Sequence, residues 1–341
     1  MKTHIKRVLQ HTAARCGPHT HRFGAPRLLI LMYHRILPAE DPSSILEEPG
    51  MIVTPDSLKM HLETLQDYLE FMALEEWVDR RSQARPLPPI ACAITFDDGW
   101  ADNYEYAYPI LASMQIPATI YLVSAMIGKT ETFWPERLAR LIKIVSDPQS
   151  THIEHQELDW LHALYPEHRR QTSLPDRETI SAIIQRAKQY TDETINGLLD
   201  AAEESVGIAA SALDPVSADI LNWEQINTLA DSGLVSFGSH TCHHLRLTPA
   251  IPEATLIQEI VDSKQVIEEK TAAQVSSFCY PNGDYTDQAL SCVRQNYRSA
   301  VTTRSGWNTK NSDAHTLKRI ALHEDISSDP ISFLARVSGW L

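Results

Sequence analysis

The sequence predicts an α/β protein in which parallel strands alternate with helices in one sheet or barrel. Two observations support this prediction. Short apolar, β-rich stretches recur with helical stretches between them, and polar residues that could carry chemistry directly follow several of these stretches. Parallel strands need helical crossovers, and the catalytic residues of such barrels lie at the carboxyl ends of the strands. A site at one end of the sheet is therefore expected.

The first part of the chain contains three predicted strands, at 28–34, 92–96 and 117–123. A helix is predicted to begin at Thr54-Pro55-Asp56-Ser57, because this N-terminal pattern precedes leucines at helical spacing, at 58, 62, 65 and 69. A second helix is predicted over 103–114. The proline-rich stretch 85–89 is typical of a loop that leads into the second strand.

The last part of the chain repeats the alternation, with strands predicted at 234–239, 275–280, 297–302 and 317–323 and helices at 223–231 and 255–270. Residues of about 140–218 interrupt it. A structureless loop of that length is improbable inside a compact domain. Ile180, Ile183, Ile184 and Ala187 have helical spacing, so we expect a helical insertion or lid. Its histidines, His152, His155, His162 and His168, are expected on a solvated surface.

Composition excludes several classes of protein. Hydrophobic residues make up 43% and charged residues 22% of the 341 positions, as in soluble globular proteins. The net charge of −14 argues against a nucleic-acid partner. No stretch approaches the roughly 20 apolar residues of a membrane span.

Residues 1–26 form a basic N-terminal tail, and the domain is predicted to cover 27–341. Acidic residues are absent from residues 1–27, and so is the apolar core of a secretory signal peptide. The tail is expected either to pack loosely or to make peripheral contact with an anionic membrane. The five cysteines are scattered at 16, 92, 242, 279 and 292, which favours a reducing, cytoplasmic setting.

Asp97 and Asp98 directly follow the second predicted strand and precede Gly99. Neighbouring side chains on a strand point to opposite faces, so these carboxylates can share a site only where the strand ends and the chain turns. A bound cation would stabilise both as anions. The alternative is a solvated Asp-Asp-Gly turn.

His240 and His244 follow the fourth predicted strand, and their i, i+4 spacing suits one face of a helical turn. One carboxylate and two imidazoles suit a catalytic divalent metal that keeps positions open for water and substrate. The second carboxylate would then serve as a base, which indicates metal-assisted hydrolysis. Such histidine pairs also occur by chance, so it is the combination of both motifs that supports the prediction.

These motifs resemble those of the NodB-like polysaccharide deacetylases, carbohydrate esterase family 4. The residues concerned are Thr95-Phe96-Asp97-Asp98-Gly99 and Ser239-His240-Thr241 with His244. The resemblance extends from about Leu28 to the C-terminus, through Leu31–Arg35, Tyr108–Leu111, Pro117–Thr119, Leu221–Trp223 and a third motif at Phe278–Gly283. It implies a distorted (β/α) barrel of about seven parallel strands.

The resemblance also implies a role for each site residue in removing N-acetyl groups from a polysaccharide or its precursor. Asp97 would be the general base. Asp98, His240 and His244 would hold a divalent metal, most often Zn²⁺, with Co²⁺, Ni²⁺, Fe²⁺ or Mn²⁺ as alternatives. A backbone N–H after Pro281, that of Asn282, would stabilise the oxyanion, and His323 would be the general acid. His34, Trp100, Tyr280 and Pro281 are candidate substrate contacts.

One position departs from the family pattern. Compact members carry an arginine that orients the base in the third motif, and this chain has Cys279 there. We hypothesise that Arg319, just before the end of the last predicted strand, replaces that arginine. The alternatives are a carbohydrate-binding or regulatory module that has lost turnover, and a deacetylase of O-acetyl esters or other amides.

Overall fold

A computed structural model describes residues 2–21, 23–41, 50–129, 132–146, 155–165, 175–207 and 220–340. The chain divides into two compact units. The first comprises Met1–Ala39, Gly50–Lys129 and Ile220–Leu341, and the second Glu40–Pro49 and Thr130–Asp219. Every helix within the described ranges is too short or too polar to cross a bilayer.

The described part of the first unit contains eleven strands, most of which form one large, mostly parallel sheet. In chain order they are β1 (Arg27–Tyr33), β2 (Arg35–Ile36), β3 (Ile52–Val53), β4 (Glu70–Phe71), β5 (Ile90–Phe96), β6 (Ala118–Leu122), β7 (Val235–Ser239), β8 (Ser277–Cys279), β9 (Ser299–Val301), β10 (Asn308–Thr309) and β11 (Ile320–Ala321). The order in the sheet is β10-β1-β5-β6-β7-β8-β9, with β4 paired to β5 and β11 to β1. Within this sheet only the β1–β10 pair is antiparallel.

The segment 317–321 links the two ends of the parallel sheet. Leu317 forms a parallel bridge to Val301 at the end of β9, and β11 pairs with β1 through Leu31 and Ile320. Counting this segment, seven parallel strands follow one another around the sheet, so the predicted distorted barrel is confirmed. β2 and β3 were not predicted, and they form a separate two-stranded sheet.

The described residues of the two units include thirteen α-helices. They are α1 (Lys2–Cys16), α2 (Pro55–Leu65), α3 (Leu74–Ser82), α4 (Tyr108–Met114), α5 (Trp134–Val145), α6 (Asp159–Leu164), α7 (Arg177–Ala187), α8 (Asp192–Ser205), α9 (Trp223–Asp231), α10 (Glu253–Thr271), α11 (Asp287–Asn296), α12 (Glu324–Ser327) and α13 (Pro330–Val337). A π-helical turn, Asn103–Ala107, precedes α4. Thr54 caps α2 as its sequence predicts, by accepting a hydrogen bond from the backbone N–H of Ser57.

Within the described residues, the second unit contains α5–α8 and a short 3₁₀ turn at Gln156–Leu158, and these helices share their own apolar core. The predicted stripe of α7, Ile180, Ile183, Ile184 and Ala187, is buried in it. His162 was expected on a solvated surface, and it is instead buried on α6. The range predicted for the insertion, about 140–218, falls within this unit. Residues 147–154, 166–174 and 208–218 of that range, with His152 and His168, lie outside the described residues.

The basic N-terminal segment differs from the loose tail considered above. It forms helix α1, which lies against α13, and Ala13 and Ala14 are buried. Small alanine side chains let the two helices approach closely, which the excess of cations in the sequence did not reveal.

Candidate active site

Asp97 and Asp98 lie in a tight turn at the carboxyl end of β5. The backbone N–H of Asp97 donates to the carbonyl of Tyr33 on β1 (3.0 Å), and the N–H of Gly99 donates back to the carbonyl of Asp97 (2.9 Å). Asp98 has φ of 72° and Gly99 has φ of 79°. This left-handed turn ends the strand alternation, so both carboxylates reach one site.

Arg319 donates hydrogen bonds to Asp97 from both of its terminal nitrogens. Nη1 donates to Oδ1 and Nη2 to Oδ2, each at 2.7 Å, and both side chains are buried. Arg319 is itself oriented by the carbonyl of Thr302 (3.0 Å from Nε) and the hydroxyl of Thr95 (3.2 Å from Nη1). Burial alone would raise the pKa of Asp97, but the guanidinium holds it below its usual value. Asp97 is therefore an oriented anion.

Cys279 occupies the remaining space beside this ion pair. Its Sγ lies 3.5 Å from Oδ2 of Asp97 and 3.2 Å from Nη2 of Arg319. Burial raises the pKa of the thiol, although Arg319 opposes that effect, so the group is protonated and can donate to Asp97. The structure thus brings Arg319 to the carboxylate from the last strand segment, while the third motif supplies a thiol.

Asp98, His240 and His244 converge on a second point of the site. Oδ1 of Asp98 lies 3.4 Å from Nε2 of His240 and 3.5 Å from Nε2 of His244. This buried oxygen accepts no hydrogen bond from the residues that the structure describes, whereas Oδ2 accepts one from the indole N–H of Trp100 (3.1 Å). Burial opposes ionisation of Asp98, but the two histidines hold its pKa well below the usual value.

Both imidazole rings direct Nε2 towards Asp98. Nδ1 of His240 lies 2.8 Å from the carbonyl oxygen of Cys279, which can only accept, so Nδ1 carries a hydrogen and Nε2 is the nitrogen that faces Asp98. Burial opposes a charge on this ring, but Cys279 and Asp98 raise its pKa well above the usual value, so a metal ion would bind Nε2 in exchange for a proton. Burial lowers the pKa of His244 to about 4, so this ring is neutral at neutral pH. One carboxylate oxygen and two imidazole nitrogens within 4.8 Å of one another could hold a divalent ion.

The loop that carries the histidines is not the helical turn that their spacing suggested. Thr241 and His244 have φ of 68° and 59°, both in the left-handed region. The loop nevertheless brings the two rings together, with centroids 4.8 Å apart. Non-glycine residues adopt this conformation only where surrounding contacts impose it.

Trp100 has a different place from the expected sugar contact. Its ring is fully buried, and its N–H orients Asp98. The guanidinium of Arg35 lies over this ring, 4.2 Å from its centroid, and donates to Asp102 at 2.8 Å. Arg35 and Asp102 were not predicted as site residues. Arg35 lies at the end of the Leu31–Arg35 segment of the family resemblance, and Asp102 lies five residues after Asp97.

The other candidate residues are His34, His323 and Asn282, and of these His34 lies near Asp97. His34 is partly exposed, with Nε2 3.8 Å from Oδ2 of Asp97. His323 precedes α12, and its Nδ1 lies 3.5 Å from Asp325. Asn282 is exposed in the turn after β8, with φ of 56°.

Tyr280 and Pro281 do not offer a surface to a sugar in this structure. Both are buried, and the hydroxyl of Tyr280 donates to the carbonyl of His315 (3.1 Å). The strand alternation at the end of β8 turns the Tyr280 ring into the protein, where it packs beside Phe278 and Tyr285.

Comparison with known proteins identifies relatives of this chain. The sequence model of the family described as polysaccharide deacetylase matches residues 84–300. YxkH of Bacillus subtilis is 29% identical over 137 residues, which make up 40% of this chain and 46% of YxkH. The poly-beta-1,6-N-acetyl-D-glucosamine N-deacetylase of Staphylococcus epidermidis is 31% identical over 110 residues, 30% of this chain and 38% of that protein. The matches thus span less than half of either relative.

The fold also occurs among solved structures. The deacetylase PplD of Streptococcus pyogenes, solved in complex with acetate, matches with a TM-score of 0.59 at 20% identity. The match covers 92% of this chain and 99% of PplD. At this identity the likeness establishes the shared architecture.

Proposed function

The chain belongs to the polysaccharide deacetylase family, and from this premise we propose that it is a metal-dependent hydrolase of N-acetyl groups on the amino sugars of a polysaccharide or its precursor. The observation that supports the proposal most directly is the buried Oδ1 of Asp98. It accepts no hydrogen bond and faces the Nε2 atoms of His240 and His244. A buried carboxylate oxygen without a partner is costly, and a cation between these three atoms would remove that cost.

Asp98, His240 and His244 would hold the divalent ion. When bound, such an ion lowers the pKa of water and polarises an amide carbonyl. Trp100 fixes the carboxylate through Oδ2, and the carbonyl of Cys279 fixes the His240 ring through Nδ1. These contacts leave one oxygen and one nitrogen directed at the same point, as metal ligands require. Mixed nitrogen and oxygen ligation suits Zn²⁺ but does not select it over neighbouring metals.

Asp97 would take the proton from the attacking water. Each of its oxygens accepts one hydrogen bond from Arg319; Oδ2 also has the Cys279 thiol at 3.5 Å, and Oδ1 has a second lone pair for another donor. Arg319 therefore orients the carboxylate without blocking it. His34, 3.8 Å from Oδ2, lies on the partly exposed side of the site and would contact the sugar or the acetyl group.

Two further steps need the loops after β8 and β11. The backbone N–H of Asn282 would donate to the oxyanion that forms on the acetyl carbonyl. The imidazole of His323 would protonate the departing amine, a general-acid role in which histidine is often used. Both residues follow parallel strands at the same end of the sheet as Asp97 and His240.

The contact between Arg319 and Asp97 also favours turnover over a binding module without activity. The argument for such a module was that Cys279 deprives the base of its cationic partner. A guanidinium at 2.7 Å from both oxygens supplies that partner from another part of the chain.

The substrate we propose is a polymer or oligomer of N-acetylglucosamine. The family match supports a polysaccharide, and the Staphylococcus epidermidis relative is named for poly-β-1,6-N-acetylglucosamine. We propose that the reaction takes place in the cytoplasm, on a precursor of an exported polysaccharide, because the cysteines are scattered and free.

Acetate release from β-1,6-linked N-acetylglucosamine oligomers tests the proposal. We expect release that depends on added Zn²⁺ or Co²⁺ and is abolished in Asp97→Asn. Mass spectrometry should find one divalent ion per wild-type chain and none in His240→Ala. A wild-type protein that binds no metal would overturn the proposal. Faster acetate release from O-acetylated sugars would mean that the enzyme is an esterase and not an N-deacetylase.

A further inference from the structure

Glu259 lies next to the histidine loop, residues 240–244, and contacts it through both of its carboxylate oxygens. It belongs to α10 and is 2% exposed. Oε2 accepts the backbone N–H groups of both Cys242 and His243, each at 2.9 Å. Oε1 lies 2.6 Å from Nδ1 of His243. A single buried carboxylate therefore satisfies three donors between His240 and His244.

The loop needs such a partner because its backbone is unfavourable by itself. Thr241 and His244 have positive φ, and threonine, being β-branched, rarely adopts it. In this conformation the N–H groups of residues 242 and 243 both point towards α10. Without an acceptor there, two buried donors would be unsatisfied, and the loop would relax towards ordinary backbone angles.

A second set of hydrogen bonds holds the opposite side of the loop. The carbonyls of Thr241 and Cys242 accept from the N–H groups of Ser124 (3.2 Å) and Ala125 (2.9 Å), which follow β6. One helical turn beyond Glu259, the hydroxyl of Ser263 hydrogen-bonds that of Ser239, just before His240. The loop backbone is thus held on both sides, and the side chains of His240 and His244 face Asp98.

We propose that Glu259 is a positioning residue for the metal site, which sets the separation of the His240 and His244 nitrogens through the loop backbone. It touches neither the substrate nor the ion. The proposal rests on the metal site of the proposed function and goes beyond it, because Glu259 belongs to none of the three motifs and contacts the loop through the backbone of Cys242 and through His243.

Metal affinity measures this role, because it depends on ligand separation as well as on folding. Zn²⁺ affinity is measured by competition with a chromophoric chelator for wild type, Glu259→Gln and Glu259→Ala. Removing groups that orient metal ligands typically weakens binding by about 10–100-fold. We expect that loss in Glu259→Ala and a smaller one in Glu259→Gln, which keeps an acceptor oxygen. The visible absorption of the Co²⁺-loaded variants should change with the ligand geometry.

Glu268 supplies a matched control on the same helix. Its Oε1 also accepts a loop backbone N–H, that of Val275 (2.9 Å), beyond the other end of α10. Glu268→Ala should lower thermal stability and leave Zn²⁺ affinity unchanged.

Each outcome has a distinct meaning. A wild type without metal would overturn the proposed function itself. A folded Glu259 variant that binds Zn²⁺ as tightly as wild type would overturn the positioning role alone, as would an equal loss in Glu268→Ala. If Glu259→Ala does not fold, as circular dichroism would show, Glu259→Gln decides the question.

Discussion

The Asp97–Arg319 pair shows how one buried cation shapes the properties of a general base. The guanidinium keeps the carboxylate ionised and oriented, and the same attraction lowers its basicity. Arginine suits this position better than lysine because its planar fork engages both oxygens at once. The base therefore relies on position more than on proton affinity.

Arg319→Ala should reduce both stability and turnover. Removing one member of a buried ion pair leaves the other charge unpaired and typically costs about 3–5 kcal/mol. We expect a destabilisation of that order in urea unfolding, and acetate release at least about tenfold slower because an unoriented base transfers protons poorly. Arg319→Lys should recover part of the stability and less of the rate.

Arg304→Ala is the control for Arg319→Ala. Arg304 is exposed and lies over the ring of Tyr285. Its replacement should change neither stability nor turnover appreciably. Wild-type turnover in a folded Arg319→Ala protein would show that Asp97 needs no cationic partner.

His61 makes the stability of the first unit sensitive to acid. The ring is fully buried against Phe333; Nε2 donates to the carbonyl of Ser327 (2.7 Å), and Nδ1 lies 3.2 Å from the hydroxyl of Tyr33. Burial lowers its pKa to about 4, while the unfolded chain has a pKa near 6.5. Between these values the unfolded state binds a proton that the folded state excludes. Stability is therefore lost as pH falls, by about 3 kcal/mol in total.

The pH dependence of unfolding checks this assignment. From pH 6.5 down to pH 4.5, the free energy of unfolding of His61→Gln should fall less steeply than that of wild type. The difference in slope should approach about 1.4 kcal/mol per pH unit, which corresponds to one proton. Equal slopes would mean that His61 is not the group responsible.

Among the elements, β7 leaves no room for a side chain just before the histidine loop. A Cβ on Gly238 would lie 2.3 Å from Cδ1 of Tyr121 and 2.9 Å from the carbonyl oxygen of Ser277. Tyr121 is fully buried and hydrogen-bonded to Ser277, so its ring has little freedom to move. The close approach of β6, β7 and β8 at this point thus requires glycine.

Gly238→Ala should destabilise the protein by about 1–3 kcal/mol, as overpacking of a core typically does. We also expect weaker Zn²⁺ binding, because a displaced β7 carries His240 with it. Thermal unfolding and the chelator competition measure the two effects.

Gly197→Ala is the matched control on helix α8. A Cβ at Gly197 meets no atom within 4 Å, and alanine favours helix over glycine by about 0.5–1 kcal/mol. This variant should be slightly more stable than wild type. If both substitutions had the same effect, crowding at Gly238 would not explain the loss.

Much of the architecture was predictable at the level of elements, because burial leaves a pattern in the sequence. The strands predicted at 92–96 and 234–239 correspond to β5 and β7, and the capping pattern at Thr54 predicted the start of α2. The prediction was poorer where long-range contacts decide the structure. The last strand was predicted over 317–323, but it pairs regularly only at Ile320–Ala321.

The site was predictable to the extent that its residues follow strands in recognisable motifs. Asp97, Asp98, His240 and His244 were named from sequence, and the structure brings their side chains together. Glu259 and Arg35 were not, because a glutamate in an amphipathic helix or an arginine after a strand has no distinctive local pattern. Trp100 was named for the wrong contact, since sequence does not show which face of a ring becomes buried.

At the scale of the whole molecule, the site depends on parallel strands that end at one level. β1, β5, β6, β7 and β8 all run in the same direction, so the turns after β5, β7 and β8 lie at the same end of the sheet. A shared metal would connect the turns after β5 and β7, which the sequence separates by the Thr130–Asp219 part of the second unit.

Metal removal should therefore lower the stability of the first unit. An ion that binds only the folded state stabilises it by about 2.7 kcal/mol at 100 times its dissociation constant. We expect a chelator to lower the melting temperature of the wild type and added Zn²⁺ to restore it. His240→Ala should show neither shift. An unchanged melting temperature in wild type would contradict a metal that links β5 to β7.

The segment 317–321 has a consequence for the timing of activity during biosynthesis. The carboxylate at Asp97 meets its guanidinium 222 positions later, when the final segment docks between β9 and β1. A ribosome-bound chain from which the Asp97 and His240 motifs have already emerged still lacks Arg319. The charge of Asp97 is then not balanced, and its carboxylate is not oriented. We expect nascent chains, and chains that have lost the C-terminal segment, to be inactive. Hydrolysis would then be confined to molecules in which segment 317–321 has paired with β9 and β1.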